Sequence, residues 1–169
     1  MWQWRYCLTY LNFNSVNKIW YTLNSAPAET RFFQYASNHW GLYAGNRPTE
    51  RVKSLALQLL NKFGRHISAK VLIWGNFNMW ERQKRHSARF TGLHCSVYLG
   101  LDEIAIGLLE EEGGWGADMA DGWGRTPLMW AAESGHEKMA KLLLLRKDVD
   151  PMAERHSSGG LPRVGMRGM

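Results

Sequence analysis

The chain has 169 residues, 45% of them apolar and 12% aromatic, with a net charge of +6, which suits one ordinary soluble domain or two small ones with a real core. No apolar run approaches the roughly 20 residues a membrane helix needs. The N-terminal "MWQWRYCLTYLNFNS" has neither an uninterrupted apolar stretch nor a clear cleavage site, so a signal peptide is not expected.

In chain order, residues 3 to 14 read as a helix. Residues 26 to 44, "APAETRFFQYASNHWGLYA", read as a second, with Pro27 at its start and Phe32, Phe33, Ala36 and Trp40 facing inward. In "PTERVKSLALQLLNKFG" Thr49 is the expected N-cap and Gly64 the stop. Val52, Leu55, Ala56, Leu59, Leu60 and Phe63 recur at helical spacing between them. Another helix is expected after Ser68 through "AKVLIW".

Charge is segregated along the chain. Residues 51 to 90 carry nine Lys/Arg against the single acid Glu81, whereas residues 91 to 121 carry seven acids and no Lys/Arg. A uniformly basic nucleic-acid binder would not show this pattern. Adjacent segments of opposite sign are expected to face each other or a partner.

Next comes a unit that occurs twice. In "RTPLMWAAESGH" Thr126 is placed to cap a short helix, and Pro127 falls at its first position, where a missing N–H costs nothing. Leu128, Ala131 and Ala132 give a small apolar face, and Gly135 supplies a left-handed end. Met139, Leu142 and Leu143 then repeat at helical spacing. "FTGLHCSVYLGLDEIAIGLLE" (90 to 110) aligns with residues 125 to 145 without a gap, at an offset of 35. Thr91 pairs with Thr126, Leu93 with Leu128, Gly100 with Gly135 and Ile104 with Met139. Leu108 and Leu109 pair with Leu143 and Leu144. Two short antiparallel helices cannot bury their faces alone, so such a unit must stack on its copies.

The second copy matches the ankyrin signature G-x-T-P-L-H-x-A-A-x-x-G-H at Gly124, Thr126, Pro127, Leu128, Ala131, Ala132, Gly135 and His136, and the unit therefore resembles the ankyrin repeat. Gly116–Asp118 looks like the turn between repeats. The first copy departs from the pattern: Gly92 replaces the proline, Ser96 and Val97 the paired alanines, and Gly107 a core leucine. Roughly residues 6 to 150 are also similar to the start of the ankyrin array in fungal NACHT–ankyrin proteins, NLR-like signalling ATPases. The phosphate loop that such an ATPase requires is not in this sequence.

Chemistry in the usual sense finds little support. His94 and His136 occupy signature positions where the ring braces turns. Ser96 and His94 are two apart on a helix and point away from each other. The acidic run Glu110 to Glu112 reads as a solvated loop end. The expectation is an all-α architecture. Residues 1–86 form a helical cap, 87–153 form two ankyrin repeats in a helix-turn-helix solenoid, and 154–169 form a disordered tail. Two widely spaced cysteines, Cys7 and Cys95, fit no metal spacing and point to a reducing, cytoplasmic setting with the nucleus left open.

The expected activity is non-enzymatic protein binding, with no cofactor, metal or membrane contact. By the family's pattern, the partner would meet Phe90, Tyr98 and Leu99 of the first copy. In the second it would meet Gly122, Trp123, Arg125, Glu133 and Ser134, with Trp123 and Tyr98 as anchors. The alternative is nucleic-acid binding by the basic segment 51–90. There Arg82, Lys84, Arg85 and Arg89 would contact phosphates and Trp80 would stack on bases.

Overall fold

The computed structural model describes residues 3–13, 30–45, 48–62, 89–110 and 116–152. Among the described residues there are seven helices and no strand. They are α1 (Gln3–Asn12), α2 (Thr30–Ala44), α3 (Glu50–Leu60), α4 (Gly92–Tyr98), α5 (Asp102–Glu110), α6 (Pro127–Glu133) and α7 (Glu137–Leu144). The expected helix after Ser68, most of the basic segment, and the tail from 154 lie outside the described residues.

Helix α1 packs on α2 and α3, and the Asn12 amide ties it down by donating 2.9 Å hydrogen bonds to the carbonyls of Leu8 and Leu55. On α2 the buried stripe is Phe33, Ala36, Trp40 and Ala44. Phe32, expected inward, is instead 44% exposed and meets Tyr10 edge-on at 4.9 Å. Adjacent helical residues point about 100° apart, so a stripe that admits Phe33 must turn Phe32 outward. On α3, Val52, Ala56, Leu59 and Leu60 are buried as their spacing predicts. Thr49 occupies the cap position in extended conformation, but its side chain makes no capping bond.

The two copies share their geometry. Thr91 and Thr126 are both extended N-caps whose side chains accept from the backbone three residues on. Gly100 and Gly135 both end the first helix of the pair with positive φ, +67° and +72°. Their differences report what each copy packs against. Leu93, Val97 and Leu109 of the first copy are buried, whereas Leu128 is only half-buried and Ala132 and Leu144 are exposed. Ala132, expected to face the core, therefore faces solvent, because no described helix covers the far side of α6.

Buried residues fall into two clusters that meet across α4 and α5. Cys95, Leu101, Ile104 and Leu108 join the upstream helices, while Leu93, Val97, Ala105 and Leu109 join Ala131, Met139 and Leu143 downstream. Each buried leucine or isoleucine contributes about 1.5–3 kcal/mol. The charged segments meet where Lys53 of α3 bridges Glu103 of α5 at 2.7 Å; Asp102 is instead bridged by Lys138 of α7, outside the basic segment, at 3.3 Å. The carboxylates of Glu103 and Glu50 hold the Lys53 ammonium above its usual value, led by the hydrogen bond it donates to Glu103.

One departure of the first copy, Gly92, has a steric reason. A Cβ on Gly92 would run into the Leu60 carbonyl, with its carbon only 2.8 Å away, so the end of α3 lies directly on the start of α4. At Gly107 a Cβ would sit in ordinary contact with the Leu57 methyls, 3.5–3.6 Å away, so this departure has no such steric cause. Restoring the signature proline, Gly92→Pro, should therefore destabilise the chain by about 1–3 kcal/mol, read as a lower urea midpoint. Gly135→Ala should cost about 1–2 kcal/mol, the left-handed penalty alone, since nothing lies near its added methyl. Gly100→Ala should cost more, because its methyl would come within 2.6 Å of the His136 ring.

Candidate partner-binding face

Between the copies the chain turns twice. The Met119 N–H closes the Gly116 turn at 2.9 Å, and the segment Asp121–Arg125 then folds into a small finger. The Asp121 N–H donates to the Arg125 carbonyl at 2.9 Å, and Gly124 takes φ +74°. The finger is held by one buried carboxylate. Asp121 Oδ1 accepts from the backbone N–H groups of Trp123 at 2.8 Å and Arg125 at 2.9 Å. Its Oδ2 accepts the indole N–H of Trp130 at 2.8 Å. Three donors on two oxygens satisfy a charge that is only 3% exposed.

Around Trp130 an aromatic cluster assembles. Phe90, Tyr98 and Trp123 meet its ring edge-to-face with centroids 5.6, 5.4 and 6.4 Å away, a favoured arrangement for aromatic pairs. Arg125 lies with its guanidinium carbon 4.9 Å from the Trp130 centroid and donates to Glu133 at 2.6 Å.

The structure thus draws together most of the sequence-derived contact residues and withdraws two. Tyr98, Trp123, Arg125 and Glu133 surround Trp130. Gly122 lies in the finger, and Ser134 caps the end of α6, both half-buried. Phe90, in contrast, is 1% exposed, so it is a floor beneath Trp130 rather than a contact residue. Leu99 turns toward Gly41 of α2, where a Cβ would lie 2.7 Å from its methyl, and is half-buried there. Sequence reading missed Trp130 and Asp121. A bulky ring at the variable position before Ala131 was a usable signal for Trp130. The hydrogen bond joining it to Asp121 spans nine residues and has no local signature.

The histidines bolt the copies together. The Thr91 N–H donates to His94 Nδ1 at 3.2 Å, and His94 Nε2 contacts the Arg125 carbonyl at 3.3 Å. A backbone N–H only donates and a carbonyl only accepts, so the ring is neutral with its proton on Nε2. Burial accordingly holds His94 below the usual imidazole value. The charge of Asp121 and the backbone carbonyls oppose that shift without overcoming it. His136 Nε2 donates to the Tyr98 carbonyl at 3.2 Å, across the same junction.

Neither a nucleophile nor a metal cradle is assembled here. The Ser96 hydroxyl is committed to the Leu93 carbonyl at 2.9 Å, and burial pushes the Cys95 thiol well above its ordinary value, into its unreactive form. Among the described residues no cluster of three or more His, Cys, Asp or Glu could hold a metal ion. Likewise, no described helix is long and apolar enough to cross a membrane. A separate shallow groove of about 530 Å³ lies between α1 and α2, lined by Tyr6, Tyr10, Phe13, Phe32 and Tyr35 among others.

Comparison with known families agrees with this geometry. A family model described as ankyrin repeats, three copies, matches residues 54–155. The match covers more than half of the chain, and the chain belongs to the ankyrin-repeat family. The match begins within α3, the first helix stacked on both α4 and α5. The family is a non-enzymatic interaction scaffold whose members bind protein partners. Searches of curated proteins and of solved structures returned no match.

Because His94 is held below its unfolded value of about 6.5, acid favours the unfolded chain, which takes up the proton first. Its contribution is intact above that pH and is lost as pH falls toward the folded value. The melting temperature should therefore drop between pH 7.5 and 5. His94→Gln should melt lower overall but with a flatter pH dependence in that window; an unchanged slope would assign the effect to other groups.

Proposed function

We propose that the chain is a non-enzymatic protein-binding module. Its partner lies across Tyr98, Trp123, Arg125, Trp130 and Glu133, with Gly122 and Ser134 at the margin. The observation that carries this reading is the buried Asp121 carboxylate, which fixes both the finger and the Trp130 ring. Rigid, half-exposed aromatics beside an arginine are the side chains that dominate interface energies, because little ordering remains to be done on binding. In this reading residues 87–153 form the binding unit and the helices before them its cap. We place the module in an NLR-like signalling protein on the resemblance that roughly residues 6 to 150 bear in sequence pattern to fungal NACHT–ankyrin proteins. The free, buried cysteines fit a reducing, cytoplasmic compartment. The basic residues 63–88 that would serve nucleic-acid binding lie outside the described residues, and Lys53 is engaged by Glu50 and Glu103.

A photo-crosslinking amino acid placed at Tyr98 or Trp123, in cells expressing the protein, should give a discrete protein adduct; at the exposed Lys147 it should not. Trp123→Ala should weaken capture of that partner about tenfold or more, a loss of at least about 1.4 kcal/mol, with unchanged far-UV circular dichroism. Loss of helicity in that variant would make Trp123 a packing residue and remove it from the face.

A further inference from the structure

The face just described already holds a cation, and it is the protein's own. Arg125 extends from the finger so that its guanidinium lies over Trp130, 4.9 Å from the centroid, and pairs with Glu133 at 2.6 Å. Tyr98 and Trp123 stand on the same ring at 5.4 and 6.4 Å. The indole N–H is donated to a carboxylate 2.8 Å away. Donation to an anion pushes electron density onto the ring and strengthens its attraction for a cation. Setting Arg125 aside leaves an electron-rich aromatic wall and two carboxylates, Glu133 and the buried Asp121, with His94 neutral behind them.

We propose that Trp130, Tyr98, Trp123 and Glu133 form a recognition site for a basic side chain of the partner, and that Arg125 fills it in the free protein as an internal stand-in. This inference rests on the partner-binding reading given above. The receptor groups Trp130 and Glu133 share one helix, and the Trp130 ring is held by its bond to Asp121. Arg125 can leave without disturbing the backbone, because its N–H and carbonyl are separately held by Asp121 and His94. Its pair with Glu133 is weak enough to exchange, since both side chains keep access to water, 28% and 35% exposed. A partner carboxylate, by contrast, would have to approach Arg125 beside Glu133, the like charge already paired with it. Charge complementarity therefore selects an arginine or lysine as occupant.

The test is a nuclear magnetic resonance titration of the full chain with acetyl-Gly-Gly-Xaa-Gly-Gly-amide peptides in which Xaa is Arg, Lys, Leu or Glu. The Trp130 indole signal is identified by its loss in Trp130→Phe, from among nine tryptophans. The Arg and Lys peptides are expected to shift that signal. Arg125→Ala, which removes the competitor, should lower their apparent Kd several-fold, and Glu133→Gln should raise it. Arg125→Gln, which keeps the side chain's length, guards against a fold defect and should behave like Arg125→Ala. Equal or stronger response to the Leu or Glu peptide overturns the cation site while leaving the face a protein-binding surface. No response to any peptide, or no tightening in either Arg125 variant, overturns it as well. The crosslinking experiment separately decides whether the face binds a protein at all.

Discussion

The structure depends on one constraint: none of its repeat helices is long enough to stand by itself. The four helices of the two copies have seven, nine, seven and eight residues, whereas isolated helices shorter than about 12–15 residues are marginal in water. Each must be held by a neighbour, so stability passes along the stack as nearest-neighbour contact. The first such contact is the meeting of α3 and α4, where the Leu60 carbonyl leaves no room for a side chain at position 92. Gly92 is therefore not an eroded proline. It records how closely the upstream helix approaches, and it shows a first copy shaped to the helix before it.

Polar groups decide the register of that stack. Apolar layers slide at little cost, but His94 on the Arg125 carbonyl and His136 on the Tyr98 carbonyl fit only one alignment of the two copies. Both bonds cross the same junction in opposite directions. Asp121 adds a third bolt, which joins the finger to α6. The His94 and Asp121 bolts serve part-buried backbone groups and ring N–H groups that are costly to leave unpaired, whereas the His136 bolt lies at the exposed edge.

What could be read from the sequence follows from the range of the forces involved. The gapless offset of 35 placed Thr91 with Thr126 and Gly100 with Gly135, and both pairs adopt matching backbone conformations, because caps and left-handed ends are local requirements. Helical spacing found the buried faces of α3 and α7. It failed where the answer depended on what lay opposite. Phe32 and Phe33 look alike until α1 is in place, and Ala132 looks like core until its far side is found uncovered. The contact set suffered in the same way. Phe90 is a floor because Trp130 lies over it, and Leu99 is turned aside by the glycine surface of α2. Trp130 and Asp121 escaped notice because their bond joins residues from a finger and a helix, which no periodicity connects.

That bond also divides the face into parts that can change and parts that cannot. Trp130 packs against both apolar clusters, and Asp121 carries the finger. A substitution at either disturbs the stack along with any binding it supports. Tyr98, Trp123, Arg125 and Glu133 surround the same ring but are held by it rather than holding it. Their side chains can vary in size and charge while Asp121 and His94 keep the backbone beneath them fixed. A repeat protein that must alter its partner without unstacking needs this separation of a fixed centre from a variable rim. Here the centre is an indole and a carboxylate, and the rim decides what charge the face accepts.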